Sequence, residues 1–132
     1  MRFFYRTELF KPGTSIITLS YLGSELPMPN YKIMGVAEAT LESSERYLEA
    51  ELSPEKNVRV NSISSGPIRT LASSAIDGIL DIIHNVEAKA LLRCRLTEEV
   101  VGSTVAFLSS LLASGITGLV TYVDGAYCIT RM

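Results

Sequence analysis

The sequence predicts an α/β domain built on a small parallel sheet. Three apolar, β-branched runs are strand-like: Ser15–Ser20, Val58–Ile63 and Leu119–Val123. Helical patterns separate them, and the order strand, helix, strand, helix, strand implies right-handed crossovers and parallel pairing. The chain has 132 residues, enough for one compact domain over 1–132 and too few for two.

Taken in order, residues 1–10 mix aromatics with charges and end at the turn signal Lys11-Pro12-Gly13, like the last turns of a helix. Ser15–Ser20 is nearly continuous in apolar character, which predicts a strand buried on both faces. A loop with Gly23, Pro27 and Pro29 follows. Asn30 is a suitable N-cap for a long helix over Tyr31–Leu52, stopped by Ser53-Pro54. Its stripe of Ala37, Leu41, Ser44, Leu48 and Leu52 is mostly apolar, and Glu42, Glu45, Arg46 and Glu49 supply a solvated face. Val58–Ile63 runs into the loop Ser64-Ser65-Gly66-Pro67. A weaker helical stretch covers Leu71–Val86. Thr97-Glu98-Glu99 reads as a helix start, with acids at the positive end of the dipole, and that helix extends to Leu112. After Gly118, the third strand ends at Asp124-Gly125, read as a turn rather than a site. Three strands are few for a doubly wound fold, and no G-x-G-x-x-G follows any of them.

Nearly half the residues are apolar and a fifth are charged, a globular composition. A formal charge of −2 with no basic arm excludes a nucleic-acid-binding chain. Cys94 and Cys128 have no metal-ligand spacing and read as free thiols in a reducing, cytoplasmic setting; no metal site is expected. No signal peptide is visible. Val100–Val123 carries no charge and is long enough for a bilayer, but Gly115 and Gly118 divide it into a buried helix and a buried strand. His84, the only histidine, reads as a partly exposed helix residue without an acid/base role.

Four strings occur in order: Ser-Ile-Ile-Thr-Leu-Ser-Tyr-Leu-Gly (15–23), Pro-Asn-Tyr-x-x-Met-Gly (29–35), Val-Arg-Val-Asn-Ser-Ile-Ser-Ser-Gly-Pro-Ile-Arg-Thr-Leu-Ala (58–72) and Val-Asp-Gly (123–125). Together they resemble the enoyl-acyl-carrier-protein reductases of type II fatty acid synthesis, members of the short-chain dehydrogenase/reductase superfamily. The resemblance covers about residues 11–128 and implies a partial Rossmann-like doubly wound parallel sheet. In the family's strand order this chain supplies the last three strands, and its first strand exposes an edge that a further strand would cover, a pairing site. The resemblance implies NADH as cofactor and a trans-2-enoyl thioester on acyl-carrier protein as substrate. It places Tyr31 at the thioester carbonyl, where a phenol hydrogen-bonds developing negative charge, and Tyr21 on the substrate side. Gly66, Pro67, Ile68 and Thr70 would border the nicotinamide and pyrophosphate of the cofactor, and Leu71–Ile83 would match a mobile lid.

The family's lysine, seven residues after the second tyrosine, is Glu38 here. A lysine two turns along the same helix face reaches the cofactor ribose and favours phenolate. Glutamate reverses that sign, raising the tyrosine pKa and repelling an enolate. Lys32 adjoins Tyr31 and points to another face, so it is no replacement. The isolated chain is therefore expected to be inactive. The remaining expectations are completion by a separately encoded N-terminal half, a non-catalytic remnant, or an oligomerising module that associates with an intact reductase.

Overall fold

The structure, a computed structural model, describes residues 10–130. The expected helix end over residues 1–10 falls outside them, Phe10 excepted. Strand β1 (Ser15–Ser20) leads through a short 3-10 turn at Leu22–Ser24 to helix α1 (Lys32–Lys56) and strand β2 (Arg59–Ser65). A 3-10 turn at Ser73–Ala75 and helix α2 (Ile79–Lys89) come next, then helix α3 (Glu98–Ser109), a turn at Leu111–Ala113 and strand β3 (Val120–Val123). The sheet has the order β1-β2-β3 and both pairings are parallel, with Ser15 opposite Arg59 and Ser62 opposite Val120. The sequence-predicted α/β class and parallel pairing are therefore present, with β2 in the centre.

Alternation along the strands sends successive side chains to opposite faces. On the α3 face, Ile63, Val101, Leu108 and Ala113 form an apolar cluster joined by Ile17, Val105 and Val123. On the α1 face, Leu52, Val58 and Val60 pack with Ile16 and Leu48 at one end only. The rest of that interface is polar. Thr18 donates to Glu45, and Ser20 and Ser24 donate to Glu42.

This corrects the expected face of α1. Glu42 and Glu45 are buried, at 8% and 6% exposure, while Leu41 is exposed. Strand hydroxyls satisfy the carboxylates, and a buried acid with hydrogen-bond partners is tolerated where an unpaired one is not. Glu49 also turns inward, accepting from the Val60 amide at 2.9 Å.

The helix bounds differ as well. Asn30 adopts φ 57, and Tyr31 takes the N-cap position without a side-chain bond. Pro54 lies inside α1, which runs on to Lys56 and closes on the left-handed Asn57, whose amide donates to the Ser53 carbonyl at 2.9 Å. The stretch over 71–86 is split by Gly78 at φ 75, so only Ile79–Lys89 is α-helical. Helix α3 begins after Thr97 but stops at Ser109, three residues short of the expected Leu112. Strand β1 is not buried on both faces: Leu19 is 58% exposed, because β1 is an edge strand.

Arg59 closes the α3 end of the core. Its guanidinium is buried and donates to the carbonyls of Leu108 (2.6 Å), Ala113 (3.1 Å) and Ser110 (3.2 Å). A cation at these orphan carbonyls complements the negative end of the helix dipole.

Candidate functional site

The carboxyl ends of β1 and β2 open onto a cavity of about 840 Å³, the position where open α/β sheets bind ligands. Each element delivers its residues by position. Tyr21 directly follows β1, Tyr31 precedes the first turn of α1, and the 66–70 loop follows β2. Tyr21, Tyr31, Gly66, Pro67, Ile68 and Thr70, the six residues singled out from sequence, all line this one cavity, and so does Glu38. Lys32 does not; it borders a separate cleft on the far side of Tyr31.

The two tyrosine rings pack edge to face with centroids 5.2 Å apart, in a cluster with Leu22. Two glycines fix the Tyr31 ring. A Cβ on Gly23 would lie 2.5 Å from the Tyr31 ring, and a Cβ on Gly35 would lie 2.5 Å from the Gly23 carbonyl oxygen. Sequence reasoning placed both glycines in motifs without assigning them this role. Only the folded approach of the 22–24 turn to α1 reveals it.

The Tyr31 hydroxyl donates to Glu38 Oε1 at 2.8 Å. Tyr21 Oη and Glu38 Oε2 are buried without a hydrogen-bond partner among the described residues. Among the described residues, the only charged ones lining the cavity are Glu38 and Glu98. Electrostatics follow from that. Burial raises the Tyr31 pKa well above 10, and the hydrogen bond to Glu38 and its charge push the same way. Burial also raises Tyr21, helped by Tyr127, Glu38 and Asp124. Glu38 is itself raised, chiefly by burial and further by Glu42, against the lowering effect of the Tyr31 hydrogen bond. The site therefore holds both phenols protonated.

The closing turn is structural in the way the sequence implied. Asp124 is buried and accepts from the amides of Ala126 (2.9 Å) and Cys128 (2.7 Å). His84 is exposed on α2, and neither Cys94 nor Cys128 is in a disulfide. Among the described residues no group of His, Cys, Asp and Glu is placed to hold a metal, and no helix is long and apolar enough to cross a membrane.

Comparison with known proteins places this geometry in a lineage. A family model described as enoyl-(acyl carrier protein) reductase matches residues 3–127. The chain belongs to the enoyl-acyl-carrier-protein reductase family. The FabI reductase of Nostoc sp., named for NADH, is 61% identical over 124 residues, taking in 94% of this chain and 48% of that one. Among solved structures, the Bacillus cereus reductase with NADP+ and indole naphthyridinone superposes with a TM-score of 0.83 at 46% identity, covering 88% of this chain and 45% of that chain. The Plasmodium berghei reductase with triclosan gives a TM-score of 0.87 at 37% identity, covering 91% and 43% respectively. The chain thus spans about half the length of the curated relatives it matches.

Proposed function

We propose that this chain is the substrate- and nicotinamide-facing half of an NADH-dependent enoyl-acyl-carrier-protein reductase of fatty acid synthesis, forming one domain over 1–132, and that Glu38 suppresses its turnover. The observation that carries this reading is the hydrogen bond from Tyr31 to Glu38 inside the cavity that also gathers Tyr21, Gly66, Pro67, Ile68 and Thr70.

The residues present fit the nicotinamide end of the cofactor. No hydrogen bond to another described residue engages the main chain of Ile68, which lines the cavity. Its free amide and carbonyl match the donor and acceptor of a carboxamide. Ile68, with Gly66 and Pro67 beside it, would hold that group, and Thr70 would lie toward the pyrophosphate. When bound, NADH supplies a hydride to the β-carbon of the enoyl thioester.

The chain's own residues act on the thioester oxygen. A free Tyr31 hydroxyl would donate to that oxygen as negative charge develops on it. Here that hydrogen bond is already donated to Glu38, and an ionised Glu38 opposes an enolate in the same low-dielectric space. Losing one such oxyanion contact costs about a hundred- to a thousandfold in rate. Tyr21 keeps an unpartnered hydroxyl and remains the available donor.

The test is NADH oxidation with a short enoyl thioester. The chain and its Glu38→Lys variant are each assayed alone and mixed with the remaining half of the Nostoc sp. reductase. The expected result is silence from the unaltered chain throughout and turnover from the lysine variant in the mixture. Turnover by the unaltered chain at a comparable rate would overturn the suppressing role of Glu38.

A second reading has an observation of its own. Ile33, Val36 and Tyr47 are exposed on α1 at 85%, 70% and 65%, and one edge of β1 pairs with no strand among the described residues. These surfaces support association with an intact reductase or with further copies of this chain in the cytoplasm. Co-purification of a tagged copy with an untagged reductase would support it, and an absence of any complex at micromolar concentration would remove it.

A further inference from the structure

The proton of Tyr31 decides what the cavity offers to a ligand. A phenol carries one hydrogen and accepts through its oxygen. Tyr31 donates that hydrogen to Glu38 Oε1 at 2.8 Å, so its oxygen presents lone pairs and no donor. Tyr21, 8% exposed and in the wall of the same cavity, has a hydroxyl without a hydrogen-bond partner among the described residues. That hydroxyl accepts as readily as it donates. The second oxygen of Glu38 is likewise buried without a partner. A carbonyl oxygen only accepts and finds no donor at Tyr31. A group rich in N–H donors finds three open acceptors: the oxygens of Tyr31 and Tyr21 and Glu38 Oε2.

Charge selects the same way. Glu38 and Glu98 are the only charged residues lining the cavity among the described residues, so its field is negative. Glu42, one turn further along α1, pushes the Glu38 pKa up, and it is held by the Ser20 and Ser24 hydroxyls rather than by a cation. An ammonium beside Glu38 relieves that repulsion, in a setting where charges interact more strongly than in water. No described group of His, Cys, Asp and Glu is placed to hold a metal, so the cation that fits is organic. Met34, Ile76, Ile79 and Ile82 line the same cavity, and none of them belongs to the 66–70 loop assigned to the cofactor. Ile76 and Ile82 pack against the Tyr21 and Tyr31 cluster, so an apolar wall adjoins the polar end. An aliphatic chain removed from water against that wall is favoured.

We propose that the tyrosine cavity binds a protonated aliphatic amine, its ammonium donating to Glu38 and to the oxygens of Tyr31 and Tyr21, and its chain lying along Met34, Ile76, Ile79 and Ile82. The same Glu38 that opposes an enolate thus turns the cavity's preference toward a cation. This inference rests on the hydrogen bond and the lining, and not on the reading of the chain as half of a reductase.

The test is calorimetric binding of octylamine, octanoate and octanol to the full chain at pH 8, where an alkylammonium, titrating at about 10.4, is protonated. The three probes share one chain and differ in the head group. Octylamine should bind at least about tenfold more tightly than either of the others, the value of one charge-assisted hydrogen bond. Glu38→Gln should remove that preference while octanol binds as before, and Glu38→Lys should reverse it, so that octanoate binds most tightly. Equal or tighter binding of octanoate by the unaltered chain would overturn the proposal, as would an amine preference that survives Glu38→Gln, or no binding of any probe. A preference lost in Glu98→Gln but kept in Glu38→Gln would place the cation beside Glu98 and overturn the head-group assignment. Turnover by the Glu38→Lys chain mixed with the remaining reductase half, with no amine preference in the unaltered chain, would overturn this inference and leave the functional reading standing.

Discussion

The two faces of the sheet are built from different materials. On the α3 face, Ile63, Val101, Leu108 and Ala113 make a dry cluster, and the one buried charge, Arg59, is spent on three helix carbonyls. On the α1 face, Glu42 and Glu45 meet Thr18 and Ser20, and Glu38 continues the same helix stripe into the cavity. The first face is stabilised by removal of apolar surface from water, which does not depend on pH. The second holds carboxylates away from solvent with hydroxyl partners, and among the described residues no cation is hydrogen-bonded to Glu42 or Glu45. The unusual chemistry of the site is thus the end of a polar layer, rather than an isolated substitution in an apolar one.

Three measurements break or sharpen this contrast. The largest effect is expected on the α3 face, where Ile63 has no exposure. Ile63→Ala should cost about 3–4 kcal/mol in denaturant unfolding, by about the same amount at pH 5 and pH 8, because it opens a cavity and touches no titrating group. A loss that varies strongly with pH would show that the two faces are coupled.

A smaller and opposite effect is expected on the α1 face. Glu45→Gln keeps an acceptor for Thr18 and removes a buried charge, so it should stabilise the fold by about 1 kcal/mol at neutral pH. Thermal unfolding at pH 7 reads this directly, and destabilisation would mean that the carboxylate is needed in ionised form.

The smallest effect is the pH slope of the unaltered chain. Glu38 and Glu45 both have pKa values raised above the ordinary 4.5, each mainly by burial. The folded state therefore binds more protons than the unfolded one. Stability should be greatest near and below pH 4.5 as far as these groups decide it. It should fall as pH rises from there through the raised folded values and level off above them. This is the reverse of the trend that salt-bridged carboxylates produce. A stability that rises with pH over that window would contradict the assignment.

Much of the fold was legible because strands here are written in β-branched residues and helices in period. Ser15–Ser20 was placed to the residue, and the central strand to within two. The faces of α1 were not legible. A glutamate on a helix reads as solvated until the strand register brings Thr18 and Ser62 beneath it, and Ser62 lies far along the chain. Pro54 signals a stop in the sequence because the compensating closure by Asn57 is a matter of conformation, not composition. In the site, helical periodicity carries the proximity of Tyr31 and Glu38, whereas Tyr21 is brought to them by the resemblance and not by any period in the sequence. The ring clamp made by Gly23 and Gly35, and the capping role of Arg59, depend on contacts between distant segments and left no periodic trace.

The central claim is that Glu38 holds the Tyr31 phenol neutral. It is tested most directly by nuclear magnetic resonance titration of carbon-labelled tyrosine in the chain and in its Glu38→Gln and Glu38→Lys variants, with a Tyr31→Phe variant assigning the signal. The account predicts that Tyr31 in the unaltered chain stays protonated well past pH 10, that Glu38→Gln lowers its pKa, and that Glu38→Lys lowers it furthest. A Tyr31 signal that titrates at its ordinary value in the unaltered chain, or one that does not move between the three proteins, would contradict it.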